Sequence, residues 1–170
     1  MKELFVITTT LEKKDFRSYL YITTFLKDKK VFLIIYGICV ILSIISTLIL
    51  HSFTVGNVII RSLIVFCGLL IFMCVGIEIK SRRFVKNYGA GQIGRTEELR
   101  FYEGYMEVGM KSGDCIEYNQ FYELVESKNY FLFYFNEKFA SVVKKSDVPE
   151  CEQFTEFLQM IFGDKYRKVL

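Results

Sequence analysis

"VFLIIYGICVILSIISTLIL" fills residues 31–50, directly after the charged run "KDKK" at 27–30. As an α-helix these twenty uncharged residues are about 30 Å long, the thickness of bilayer hydrocarbon. A core helix of a soluble domain carries a polar face toward water. This stretch offers only Gly37, Ser43, Ser46, Thr47 and the phenol of Tyr36. Small groups of that kind are satisfied on the helix backbone or against a neighbouring membrane helix. The stretch therefore predicts a membrane span.

A second segment, "VIIRSLIVFCGLLIFMCVGIEI", follows at 58–79, with Arg61 near one end and Glu78 near the other. Arg61 reaches the interface with its methylenes left in hydrocarbon, and Glu78 sits where headgroups begin. The short connection "HSFTVGN" at 51–57 predicts a tight hairpin. Lys27, Lys29 and Lys30 precede the first span, and Lys80, Arg82, Arg83 and Lys86 follow the second. Basic flanks on one side predict a multi-pass protein with both termini cytoplasmic. No signal-peptide pattern closes the first apolar run. Cys39, Cys67 and Cys74 fall in the spans, Cys115 and Cys151 beyond them, and no CxxC spacing predicts a disulfide or a metal.

The net charge of +3 conceals an uneven layout. Residues 80–95 hold five basic groups and no acidic one; from Thr96 onward nine Lys or Arg face fourteen Asp or Glu, a local −5. The basic stretch sets topology, and Lys80, Arg82, Arg83 and Lys86 are its candidate contacts with anionic lipid headgroups. The acidic remainder argues against a nucleic-acid surface. Four regions result: 1–28, a cytoplasmic strand and amphipathic helix; 29–79, the two-helix hairpin; 80–95, a basic, glycine-bearing linker; and 96–170, a cytoplasmic domain.

"LFVITTT" at 4–10 is β-branched and predicts a strand. Thr10 stands where a helix cap belongs, and Phe16, Tyr19, Leu20, Thr23 and Leu26 recur at helical spacing. That amphipathic helix is placed to lie on the membrane, or on the cytoplasmic domain, and to run on into the first span. In the linker, Gly89, Gly91 and Gly94 lack the lysine and hydroxyl of a phosphate loop and predict a flexible connection or a turn. Beyond it the period becomes two. Strands are predicted near 98–102, 105–110, 114–118, 121–126, 130–135 and 140–144, joined by tight turns as an antiparallel meander. A closing helix follows, with Asp147 as cap, Pro149 early, Glu150 as capping-box partner, and Phe154, Phe157, Leu158, Ile161 and Phe162 on its apolar face. The predicted fold is a membrane α-helical hairpin plus an α+β domain, an antiparallel pleckstrin-homology-like half-barrel closed by the C-terminal helix.

Two spans followed by "LRFYEGYMEV…IEYNQFYELVESKNYFLFYF…FASVVKKSDV…FTEFLQMIFG" resemble the YcxB-like membrane proteins, most familiar from Gram-positive bacteria. The resemblance covers nearly the whole chain. It implies a small integral protein of the bacterial cytoplasmic membrane with a cytoplasmic C-terminal domain and no established activity.

The residues themselves carry no catalytic constellation. The single histidine, His51, lies in the predicted external loop, across the membrane from Cys115 and Cys151. Glu97, Glu98, Glu103, Glu107, Glu117, Glu123 and Glu126 are numerous, but alternation predicts most of them on solvated strand faces or hairpin ends. No EF-hand or HExxH spacing is present, and no cofactor is expected. In the aromatic run at 130–135, alternation sends Phe131, Phe133 and Phe135 to one face and Tyr130, Leu132 and Tyr134 to the other. The second face is left for the N-terminal segment, the membrane or a protein partner. The expectation is a non-enzymatic interaction or regulatory module recruiting a protein partner or forming a homo-oligomer. The alternative is an envelope protein whose cytoplasmic face meets anionic phospholipid headgroups.

Overall fold

The computed structural model describes residues 3–27, 29–49, 54–92, 94–109, 114–137 and 139–169; His51 and most of the turn expected after the 105–110 strand lie outside them. Helices α2 (Lys29–Ile49) and α3 (Val55–Gln92) form the hairpin. Both are long and apolar enough to cross a membrane, with a mean hydropathy of 2.7 in each. Only 17% and 6% of their most apolar windows are covered by the rest of the chain. Leu33, Ile34, Ile64, Ile71 and Phe72 point outward. A soluble domain hides such surface, so this is the profile of a multi-span membrane protein.

The two helices meet along small residues. Cys39, Ser43 and Thr47, one turn apart on α2, are buried, as is Ser62 on α3. The Ser43 hydroxyl donates to the Cys39 carbonyl at 2.8 Å and Thr47 to that of Ser43 at 3.0 Å, so their polar atoms are satisfied within the helix. Arg61 Nη1 donates to Ser46 Oγ at 3.2 Å, and Tyr36 meets Phe66 edge-on at 5.3 Å.

α3 runs on past its apolar stretch. Its 38 residues span about 57 Å, well beyond hydrocarbon thickness. The stretch expected to be a linker is helical through Gln92, because nothing between Ile79 and Asn87 breaks a helix and its Ile77–Ser81–Phe84 side finds a partner. That partner is α1 (Lys13–Tyr21), which continues as a π-helical turn, Ile22–Leu26, to Lys27. The α1 cap is Glu12, in a capping box with Asp15, and not Thr10, whose backbone is engaged as the last residue of β1 (Phe5–Thr10).

The expected half-barrel is not formed. The strands make two separate four-stranded sheets. In the first, β1 pairs with β2 (Thr96–Phe101), β2 with β3 (Tyr105–Val108), and β3 with β4 (Asp114–Glu117), all antiparallel. The second contains β5 (Glu123–Glu126), β6 (Tyr130–Tyr134), β7 (Ala140–Lys144) and β8 (Tyr166–Lys168), in the order β7-β6-β5-β8. Its last pairing, β5 with β8, is parallel, so the sheet is mixed.

Two local causes prevent closure. A 3-10 turn at Tyr118–Gln120 ends the first sheet, held by the Tyr118 hydroxyl donating to the Tyr102 carbonyl at 2.7 Å. The edge of β5 that a continuous meander would offer to β4 is already occupied by β8.

One core joins both sheets to helix α4 (Cys151–Phe162): Ile7, Leu99 and Phe101 from the first sheet, Leu124, Phe131 and Phe133 from the second, and Phe154, Phe157, Leu158 and Phe162 from α4. The expected capping of α4 differs. Glu150 occupies the cap in a left-handed conformation (φ 51°), while Asp147 accepts a 2.8 Å hydrogen bond from Thr9 and pairs with Lys144 at 3.4 Å. Gly94, at φ 82°, turns the chain from α3 into β2, and its N–H reaches the Leu11 carbonyl at 2.9 Å.

Candidate functional site: the junction of domain and membrane helix

The second sheet is apolar on both faces. Phe131 and Phe133 enter the main core, while Val125, Leu132 and Tyr134 face away from it, against Tyr19, Leu20 and Ile22 and with Ile77 of α3. Of the three residues on the face left open to the N-terminal segment, the membrane or a partner, Leu132 and Tyr134 are fully buried and Tyr130 is half-buried, its hydroxyl donating to Asp15 at 3.0 Å. The chain's own N-terminal segment occupies that face.

Asp15 is the fixed point of this segment. It is fully buried, accepts from the Glu12 backbone N–H at 2.8 Å and from Tyr130, and lies 3.9 Å from the Lys144 ammonium. On the opposite side, α1 grips α3. Arg17 pairs with Glu78 at 2.6 Å, Tyr21 donates to the same carboxylate at 3.3 Å, and Phe16 stacks on Phe84 with centroids 3.9 Å apart. α1 is thus clamped between the extended membrane helix and the sheet.

Two buried carboxylates, expected on solvated faces, tie the same region together. Glu123 meets the Lys27 ammonium at 2.6 Å, off the direct hydrogen-bonding line, and Arg167 at 3.6 Å. Arg167 also donates to the Lys27 carbonyl. Glu126 is held by Lys145, by the Tyr166 hydroxyl and, at 3.6 Å, by Lys168. Burial pushes the Glu126 carboxyl up, but the Lys145 and Tyr166 hydrogen bonds and the Lys145 and Lys168 charges outweigh it and hold the group below the usual glutamate range. Burial also drives the Tyr134 hydroxyl up to about 12, while its hydrogen bond with Thr23 at 2.8 Å acts the other way.

The four basic residues singled out in the sequence divide by position. Lys80, Arg82, Arg83 and Lys86 are all exposed on α3. Arg82 and Lys86 flank a groove of about 420 Å³ whose other wall is Lys13, Lys14 and Arg17 of α1; Ser81 and Val85 line it as well. Lys80 and Arg83 lie outside it. The α1 cations were missed by sequence reasoning, since only the amphipathic spacing of that helix was read. A count of Lys and Arg on its polar face would have found them. Among the described residues, no group of three His, Cys, Asp or Glu side chains is placed to hold a metal ion.

No known protein family, curated protein or solved structure matches the chain.

Proposed function

We propose that the chain is a two-span protein of the bacterial cytoplasmic membrane, of the YcxB-like kind, with both termini cytoplasmic. Its α/β domain serves there as a non-enzymatic interaction module. The observation that carries this reading is the clamp on α1: Arg17–Glu78 and Phe16–Phe84 on one side, Asp15–Tyr130 and the Leu132–Tyr134 face on the other. Here the anchor helix continues into the domain's packing, which holds one surface of the domain at a set height above the bilayer.

The contacts such a module makes are with a protein partner or a second copy of the chain. A second reading, contact with anionic phospholipid headgroups, is favoured by the basic groove between α1 and α3. The test uses the full chain in native membranes. It should remain in the membrane pellet after alkaline carbonate washing, and a photo-crosslinker at exposed Tyr122 or Cys115 should yield a discrete protein adduct or a crosslinked dimer. Release by carbonate would remove the membrane-anchored reading. Adducts with lipid alone would replace the protein-partner reading with the headgroup one.

A further inference from the structure

We propose that the groove between α1 and α3 is a binding site for the phosphate group of an anionic phospholipid headgroup. The inference rests on the membrane-anchored reading above and gives its surface a ligand. Five cations, Lys13, Lys14 and Arg17 from α1 and Arg82 and Lys86 from α3, border a single space of about 420 Å³. Two are neutralised locally, Lys14 by Glu12 at 3.0 Å and Arg17 by Glu78 at 2.6 Å. Lys13, Arg82 and Lys86 have no ion pair or hydrogen bond among the described residues. Three unneutralised cations converging from two helices call for an anion.

Depth selects its kind. The apolar run of α3 ends at Ile79, and at 1.5 Å per residue Ser81–Lys86 stand roughly 3 to 10 Å beyond it, in the layer of headgroups. On α1 the same level is marked by Arg17 and Tyr21, which both reach Glu78, one residue short of the end of that run. A phosphate oxygen in the groove meets a forked guanidinium and ammonium donors from both walls. Lys80 and Arg83, on the same helix but outside the groove, provide an internal control of equal charge.

The experiment compares the full chain in neutral detergent with two double variants, Arg82→Gln/Lys86→Gln and Lys80→Gln/Arg83→Gln. All four positions are exposed, so folding is preserved in both. Lipid occupancy is read by native mass spectrometry with phosphatidylglycerol against phosphatidylcholine. The parent should prefer phosphatidylglycerol by roughly tenfold, the groove variant should lose that preference, and the control should stay within about twofold of the parent. Equal losses in the two variants, or no preference in the parent, would overturn the site. Glycerol 3-phosphate and orthophosphate are then added as competitors. Displacement assigns the groove to soluble phosphate esters as well as to lipid, and its absence assigns it to the membrane headgroup alone. Carbonate extraction of the parent reads the anchoring separately, so loss of the membrane reading and loss of the groove give different results.

Discussion

The Lys27 ammonium lies 2.6 Å from Glu123 Oε1 and 3.9 Å above the ring of Tyr134, with both charged side chains about nine-tenths buried. By position Lys27 was expected to act as a topology signal ahead of the first span. In the fold it is also the point at which the span is fastened to the second sheet. A cation and a carboxylate withdrawn from water together gain little net energy, but removing one partner strands the other.

Lys27→Met should therefore destabilise the full chain by about 3 kcal/mol, because among the described residues Glu123 then keeps Arg167, at 3.6 Å, as its one ion-pair partner. The double variant Lys27→Met/Glu123→Leu should recover most of that loss. Thermal unfolding in detergent, followed by circular dichroism, reads both. A Lys27→Met protein within about 0.5 kcal/mol of the parent would show that the pair does not hold the junction.

The helix that joins the two sheets makes a second test. Phe154 is fully buried against Phe5, Phe101 and Phe131, and Phe157 lies against Phe5 and Tyr118. Phe154→Ala should cost about 3–5 kcal/mol, and Phe157→Asp at least as much by burying an unpaired carboxylate. Glu152→Gln, on the exposed face, should stay within about 0.5 kcal/mol. If Phe157→Asp unfolds at the parent's temperature, α4 is not a core element.

Glu126 gives the domain an acid limit. Its carboxyl binds a proton less readily in the folded chain than in the unfolded one, so its contribution to stability is complete above the unfolded value, about 4.3, and is lost as pH falls through the lower folded value. Glu126→Gln should lower stability by about 1–3 kcal/mol at pH 7, and the gap to the parent should close below about pH 4. A gap unchanged from pH 7 to pH 3 would show that the Lys145, Tyr166 and Lys168 contacts do not depend on the charge.

Orientation is tested by labelling. With the native cysteines replaced, a cysteine at Thr54, at the hairpin end of α3, should react with an impermeant thiol reagent applied to intact cells, and one at Glu152 should not. Reaction at Glu152 alone would invert the topology.

What could be read from the sequence follows from range. The two long apolar helices were legible because an extended apolar run carries its meaning locally, and the two faces of β6 were legible because alternation is a local period. The closure of the fold was not. β1 pairs with β2 across the whole membrane hairpin, and β8 returns to lie parallel to β5, and no local pattern encodes either pairing. The same holds for Glu123 and Glu126. Their neighbours in β5 argue only that a charge there is awkward, and the cations that permit burial, Lys27, Arg167 and Lys145, are supplied by distant segments.

The surface beneath α1 is covered by the chain's own N-terminal helix. Alternation left the face of Tyr130, Leu132 and Tyr134 to the N-terminal segment, the membrane or a partner, and in the structure that helix lies there. Whether the helix ever leaves depends on its fastenings, and Asp15 holds both its own cap and two ties to the sheet, Tyr130 and Lys144. Asp15→Ala removes the acceptor of the Glu12 N–H and of the Tyr130 hydroxyl and withdraws the carboxylate from Lys144. Losing a cap costs about 1 kcal/mol and each stranded buried partner about 1–3 kcal/mol more. A loss of that size falls on α1 first, because the main core around Phe154 and Phe133 does not use Asp15. Hydrogen exchange of the full chain in detergent should therefore accelerate in α1 and its π-helical turn while α4 keeps the parent's protection. If α1 and α4 accelerate together, the N-terminal helix is not a separable cover, and the face of Leu132 and Tyr134 is core and nothing else.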